Sequence, residues 1–217
     1  MEPLIDQAPA AWPVVPLGEV CDILAGPGGK RLPALERTDE DQPARGDLVP
    51  VVTPREIRRH RITAQASTAV SPGIANGLAR YRVRPGDIVA VRTGELGQHA
   101  LAGDEHDGWL LGTSCLRIRP RGEAVDTGYL LFYLSHPQIK DWIVRNGSGS
   151  NPPSLAATVL EALPTHLPPL DHQVAVAEVL SALDERAEQL GRAARTAADL
   201  LEAAVLPLMA GVPIDPP

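Results

Sequence analysis

A chain of 217 residues has room for one domain of ordinary size and one further element. Its hydrophobic fraction of 44% is that of a globular protein, but aromatics reach only 3%, with Phe132 the single phenylalanine, so the core must be aliphatic. The net charge of −7 excludes a uniformly basic nucleic-acid binder, no uncharged apolar run reaches the roughly 18 residues of a membrane span, and Cys21 and Cys115 form no CxxC pair.

The charge is unevenly spread. Residues 30–92 carry 12 basic groups against 7 acidic ones, a net of +5, whereas residues 171–217 carry 3 arginines against 8 acids. A basic middle between acidic flanks fits a DNA-facing surface on one part of the molecule. Residues 1–11 lack periodicity and read as a flexible tail, without the basic start and apolar stretch of a signal peptide. Cysteines read as reduced thiols complete the expectation of a cytoplasmic chain.

Trp12 to Leu24 is an entry segment, and the Gly-, Pro- and charge-rich residues 25–48 read as loop. Leu48 to Val52 is a short strand, and Pro54 to Ile57 a turn or short helix. Leu78 to Val83 alternates and leads into Arg84-Pro85-Gly86-Asp87, a turn with proline and glycine in sequence. Ile88 to Arg92 is the clearest strand, apolar and β-branched, and another runs from Leu110 to Pro120. Thr127 to Leu134 and Ile139 to Val144 are two short helices split by His136-Pro137. Asn146 to Pro153 is a loop, and Leu163 to Leu170 is extended. The fold class expected is therefore α+β: an irregular, mainly β domain with short helices at 12–168, a long coiled-coil-type helix at 169–209 and a tail at 210–217.

In that last helix, capped by Asp171, the residues Leu180, Leu183, Ala187, Leu190, Ala194, Ala197, Leu201 and Ala204 recur at alternating steps of three and four. That is a heptad seam for a partner helix, and a homodimer is the expected assembly. About 35 residues make a rod of roughly 50 Å.

The candidate DNA contacts follow from residue chemistry. Arg55, Arg58, Arg59, His60 and Arg61 form the densest basic cluster, one-faced if helical; arginine forks onto guanine edges or neutralises phosphates. Lys30 and Arg31 end a glycine-rich loop. Arg92 ends the clearest strand and Thr93, Gln98 and His99 follow it, where polar loop side chains suit base reading. Ser148 and Ser150, with Asn146, are phosphate candidates.

Catalytic patterns fail at named residues. Asn151-Pro152-Pro153-Ser154 has serine where an amino-methyltransferase needs a stacking aromatic. Gly26 to Arg31 has the wrong spacing for a phosphate loop and no Ser or Thr after Lys30. The six histidines are scattered without metal-ligand spacing, and Ser114 and Cys115 lack a nucleophile elbow. No metal, cofactor or catalytic residue is expected in this chain.

The order of the pieces resembles the DNA specificity subunits of type I restriction–modification systems over roughly Trp12 to Leu208. Trp12-Pro13-Val14-Val15-Pro16-Leu17-Gly18-Glu19-Val20 is similar to the opening of their target-recognition domain. Val83 to Val89 and Arg92-Thr93-Gly94-Glu95-Leu96-Gly97 are similar to the family's GDIL and R.G..G stretch. Leu167-Pro168-Pro169-Leu170-Asp171-His172-Gln173 is similar to the LPPLxEQ entry into the family's conserved helix, with His172 where an acid is usual. Family members carry two recognition domains and two helices; a single set stands here, without internal repeat, so the resemblance implies a half-subunit. It further implies a non-catalytic component that binds double-stranded DNA and directs an adenine methyltransferase subunit, and in restricting systems a restriction subunit, to a bipartite site. S-adenosylmethionine and ATP would belong to those partners. The competing reading is a protein-interaction module of a phage-defence complex that docks through its C-terminal helix.

Overall fold

The computed structural model describes residues 11–29, 48–149 and 151–209, together with Ile5, Pro9, Leu32, Glu36 and Arg37. Two compact units divide at Ala175/Val176.

The first unit is a mixed α+β body. Its strands are β1 (Val14–Pro16), β2 (Cys21–Ala25), β3 (Glu36–Arg37), β4 (Val49–Val52), β5 (Ile57–Arg58), β6 (His60–Ile62), β7 (Thr68–Val70), β8 (Ile88–Val91), β9 (His99–Leu101), β10 (Leu110–Leu111), β11 (Cys115–Pro120) and β12 (Pro164–His166). Its helices are α1 (Leu17–Val20), α2 (Pro72–Asn76), α3 (Thr127–Tyr133), α4 (Pro137–Arg145) and α5 (Ala157–Glu161). A six-stranded sheet has the order β2-β11-β8-β9-β6-β5, a four-stranded sheet the order β10-β4-β7-β3, and β1 pairs with β12.

β8 is central because Ile88, Val89 and Val91 are buried, as suits a β-branched run covered on both faces. The core is aliphatic as composition required: Val51, Val52, Val70, Val83, Leu110 and Leu111 join β8 in it. Gly112 donates its N–H to the Val52 carbonyl at 2.8 Å and so extends the β10–β4 pairing. The two larger sheets approach at Gly26, just after β2, where a Cβ would strike the Gly112 carbonyl. The Arg84–Asp87 turn closes with the Asp87 N–H on the Arg84 carbonyl and Gly86 at φ +84°, a conformation that a side chain resists. Buried Asp87 then accepts two hydrogen bonds from Arg119, at 2.6 and 2.7 Å, and a third from the Arg84 N–H at 2.8 Å.

The two short helices stand as expected, with Asp126 capping α3 through the Tyr129 N–H and Pro137 opening α4. The alternating stretch Leu78–Val83 contains a single 3-10 turn at Ala79–Tyr81, and β3 lies inside the segment read as loop. Tyr129 and Tyr133 donate their hydroxyls to the His166 and Pro164 carbonyls, holding the β1–β12 pair against α3.

The last helix, α6, runs Leu170–Met209. Its 40 residues correspond to about 60 Å, longer than the sequence estimate. Asp171 is not its cap: it lies inside the first turn, and the Pro169 carbonyl receives the N–H groups of His172 and Gln173. Gln173, fully buried, is held by the Asp126 N–H and by the Ala124 and Pro168 carbonyls. In the second unit Leu183, Leu190 and Leu201 are 61%, 59% and 69% exposed. No helix among the described residues is long and apolar enough to cross a membrane.

Candidate nucleic-acid interface

The chain leaves β4 at Thr53 and turns back through Pro54 to Ile57. This turn is fixed by Glu56, a carboxylate only 2% exposed. It accepts from the Thr53 N–H and hydroxyl at 2.8 and 2.6 Å, and from the Ser67 N–H and hydroxyl at 2.9 and 2.6 Å. Burial alone would raise its pKa; the four hydrogen bonds outweigh burial and hold it below the usual glutamate value.

The segment carrying the arginines is then a hairpin, not the helix considered from spacing. Arg58 faces Arg61 across β5–β6, leaving Arg59 and His60 as the two-residue connection. Both have positive φ, 41° and 68°, the mirror-image turn that a right-twisted hairpin prefers and that non-glycine residues resist. Such backbone costs on the order of 1 kcal/mol or more per residue and persists only when its surroundings enforce it. The enforcement is visible. His60 Nε2 lies 2.7 Å from the Ser135 hydroxyl, and its ring meets Phe132 edge-on at 5.4 Å. Arg55, Arg58, Arg59 and Arg61 are exposed on this hairpin and the turn before it.

A second segment faces it. After β8 the chain forms the turn Gly94–Gln98, in which Gly94 and Gly97 take φ of +107° and +87°. The Gly94 N–H bonds the Pro153 carbonyl at 3.0 Å, and Thr93 bridges Ser154. The parallel pairing of β6 with β9 carries this turn to the hairpin. Between them opens a groove of about 620 Å³, lined by Arg55, Arg58 and Arg59 from one side and by Thr93, Gly94, Glu95 and Gln98 from the other, with Ile57 and Val91 also lining it. Two clusters separated in sequence thus share one concavity.

The remaining sequence candidates lie elsewhere. His99, read as a loop residue facing DNA, is instead 4% exposed in β9. Its Nε2 lies 2.8 Å from the Leu131 carbonyl and its Nδ1 3.1 Å from the Gly97 carbonyl. Desolvation by burial is the main reason its pKa falls to about 4, with the His60 and Lys140 charges adding to the effect, so near neutrality the ring is uncharged. Its role is to brace the Gly94–Gln98 turn from behind. Arg92 is half-buried and does not line the groove; its Nε is enclosed without a hydrogen-bond partner among the described residues. Ser148 is exposed but pairs with Ser154 through both backbone and hydroxyl, so the Asn151–Ser154 stretch supports the turn. Lys30, Arg31 and Ser150 lie outside the described residues.

Sequence reasoning missed Glu56, Ser135 and Glu95. Glu95 sits between the candidates Thr93 and Gln98, and an acid carries the wrong charge for a phosphate-facing surface. Ser135 and Glu56 act through partners distant in sequence, which no local pattern announces.

A family model described as the type I restriction modification DNA specificity domain matches residues 9–195. None of the curated protein sequences is a match. Among solved structures, a chain from a study of complex assembly and conformational transition in a type I R-M system shares 22% identity and a TM-score of 0.64, covering 91% of this chain and 44% of its own. The HsdS subunit from Thermoanaerobacter tengcongensis shares 19% and 0.55, covering 86% and 40%, and the type I S subunit from M. genitalium 16% and 0.53, covering 88% and 44%. These likenesses show a shared fold, and the chain spans less than half the length of each of these structures. The family is a DNA-recognition component of restriction–modification systems and not a catalytic one, and this chain belongs to it: the type I restriction modification DNA specificity domain family.

Proposed function

We propose that this chain reads duplex DNA with the groove between the Arg58–Arg61 hairpin and the Gly94–Gln98 turn, and so directs an adenine methyltransferase subunit to its site. The observation that carries the reading is the convergence of three exposed arginines with Thr93 and Gln98 on one concave surface. Arginine supplies phosphate neutralisation and guanine recognition, while threonine and glutamine supply neutral hydrogen-bonding groups. Buried Glu56 and His99 hold both walls, so little ordering remains to be done on binding.

The assembly belongs to the same proposal. Leu183, Leu190 and Leu201 form an uncovered apolar seam on α6. A second copy pairing along it covers that seam and places two recognition units on one symmetric particle, which selects a bipartite, palindromic target. S-adenosylmethionine, and ATP where a restriction subunit joins, are supplied with those partners; the domain limits 12–168 and 169–209 are part of this reading.

The test is an electrophoretic shift of duplex DNA in a salt series. Affinity should fall steeply with salt, log K against log salt dropping by about 0.9 for each phosphate contacted. Arg58→Ala should weaken binding and flatten that slope by about one contact. Binding that ignores both salt and Arg58→Ala would refute the groove, and footprinting of one continuous asymmetric site would refute the paired assembly.

A further inference from the structure

The groove holds one residue whose charge is wrong for a phosphate surface. Glu95 lines it opposite Arg55, Arg58 and Arg59. Among the described residues its carboxylate has no ion-pair or hydrogen-bond partner, so it does not serve to neutralise a neighbouring arginine. Its backbone, by contrast, is well held. It follows Gly94, tied to Pro153, and precedes Leu96, whose N–H returns to the Gly94 carbonyl at 2.9 Å. His99 and the Leu96 contact with Gly147 back the same turn.

A carboxylate accepts hydrogen bonds only, and it repels phosphate. In the major groove of a duplex, the groups that satisfy it are the exocyclic amino groups N4 of cytosine and N6 of adenine. Guanine O6 and thymine O4, both acceptors, would face it with matched negative charge. A fixed acid in a basic groove therefore lowers affinity for DNA at large and restores it only where an amino-bearing base lies opposite, which is how specificity is built by repulsion as well as attraction.

Resting on the DNA reading proposed above, we infer that Glu95 is a specificity-determining residue that accepts a hydrogen bond from the amino group of a cytosine or adenine in the target. Gln98, on the same turn, is the neutral neighbour able to both donate and accept.

The experiment selects bound duplexes from a sequence-randomised library with the full chain, sequences them, and separately measures affinity for a duplex outside the selected motif. In the parent protein one position of the motif should demand cytosine or adenine. Glu95→Gln should lose at least about fivefold of the discrimination at that position, keep the rest of the motif, and bind the non-motif duplex more tightly than the parent. Glu95→Asp, which keeps the charge but withdraws it by one methylene, should lose the preference without that gain. A purely structural role predicts neither the gain nor its confinement to the charge-removing variant. If both variants select the parental motif while Arg58→Ala weakens all binding, the Glu95 assignment is overturned and the groove stands. If Arg58→Ala also leaves binding unchanged, or the parent selects no motif, the DNA reading of the groove falls and this inference with it. Loss of all binding in Glu95→Asp with its fold retained overturns the assignment as well, since the charge is kept.

Discussion

Glu56→Ala isolates the residue that fixes one wall of the groove. The substitution removes the acceptor for four hydrogen bonds, two of them from the backbone N–H groups of Thr53 and Ser67. The two hydroxyls reorient to other partners; the two N–H groups do not. A buried donor left unsatisfied costs roughly 1–3 kcal/mol, and both residues keep partial solvent access, so the lower half of that range applies to each. The expected loss is about 3 kcal/mol. For a chain of this size each kcal/mol moves Tm by about 2–4 °C, giving a drop of about 9 °C in thermal melting followed by circular dichroism. The pH dependence has a definite sign. The folded-state pKa of Glu56 lies below its ordinary value, so its contribution is complete above the unfolded-state pKa of about 4.3 and is lost as pH falls through the lower folded one. The gap in Tm between parent and variant should therefore be widest near neutrality and close in strong acid. A Tm loss below about 2 °C at pH 7, or a gap that widens on acidification, would refute the reasoning.

Three further outcomes are expected. His99, neutral in the fold with a pKa of about 4 against about 6.5 unfolded, withdraws stability as pH falls from 6.5 to 4, by roughly 3 kcal/mol in all; His99→Gln should flatten the Tm profile in that window, and a His99 ring signal that titrates near 6.5 by NMR would contradict it. Asp87→Ala breaks the buried pair with Arg119 and frees the Arg84 N–H, and should cost about 3 kcal/mol in urea unfolding; a change under about 1 kcal/mol would show the Arg84–Asp87 turn to be held by its backbone hydrogen bond and Gly86. Leu183→Asp combined with Leu190→Asp should convert particles of twice 23.1 kDa into monomers by light scattering without lowering Tm of the recognition unit, and an unchanged mass would remove the α6 seam from the assembly.

Much of the fold was legible because its signals are local. Ile88 to Val91 announces a buried strand by composition, Pro85-Gly86 a turn by backbone preference, Pro137 a helix start, and the seam from Leu180 to Ala204 a long helix by period. What escaped depends on contacts distant in sequence. Arg59-His60 lacks the glycine or asparagine that marks a two-residue hairpin; the turn forms because Ser135 and Phe132 hold His60. A polar side chain after Gln98 reads as loop, yet His99 sits in a three-residue strand because β6 pairs alongside and Leu131 offers a carbonyl. The arginine cluster and the Thr93–Gln98 segment were both chosen from chemistry, but nothing in the sequence indicates that they share a groove.

That shared groove follows from one topological feature. β6 and β9 run parallel, with His60 opposite Ala100 and Arg61 opposite Leu101, so the loops before them emerge at the same end of these neighbouring strands. The residues that face the groove stand on turns, while those that set its shape, Glu56 and His99, are buried among backbone groups. Proposed contact and fold are thereby divided between different side chains. Arg55, Arg58, Arg59, Glu95 and Gln98 bear little of the packing, and surface substitutions of that kind change stability by about 0.5 kcal/mol or less. Glu56, His99 and Ser135 bear the geometry and cannot be exchanged so freely. If the groove reads DNA as proposed, a domain constructed in this way would alter what it reads by changing exposed turn residues alone, since the walls that carry them are braced from inside the unit.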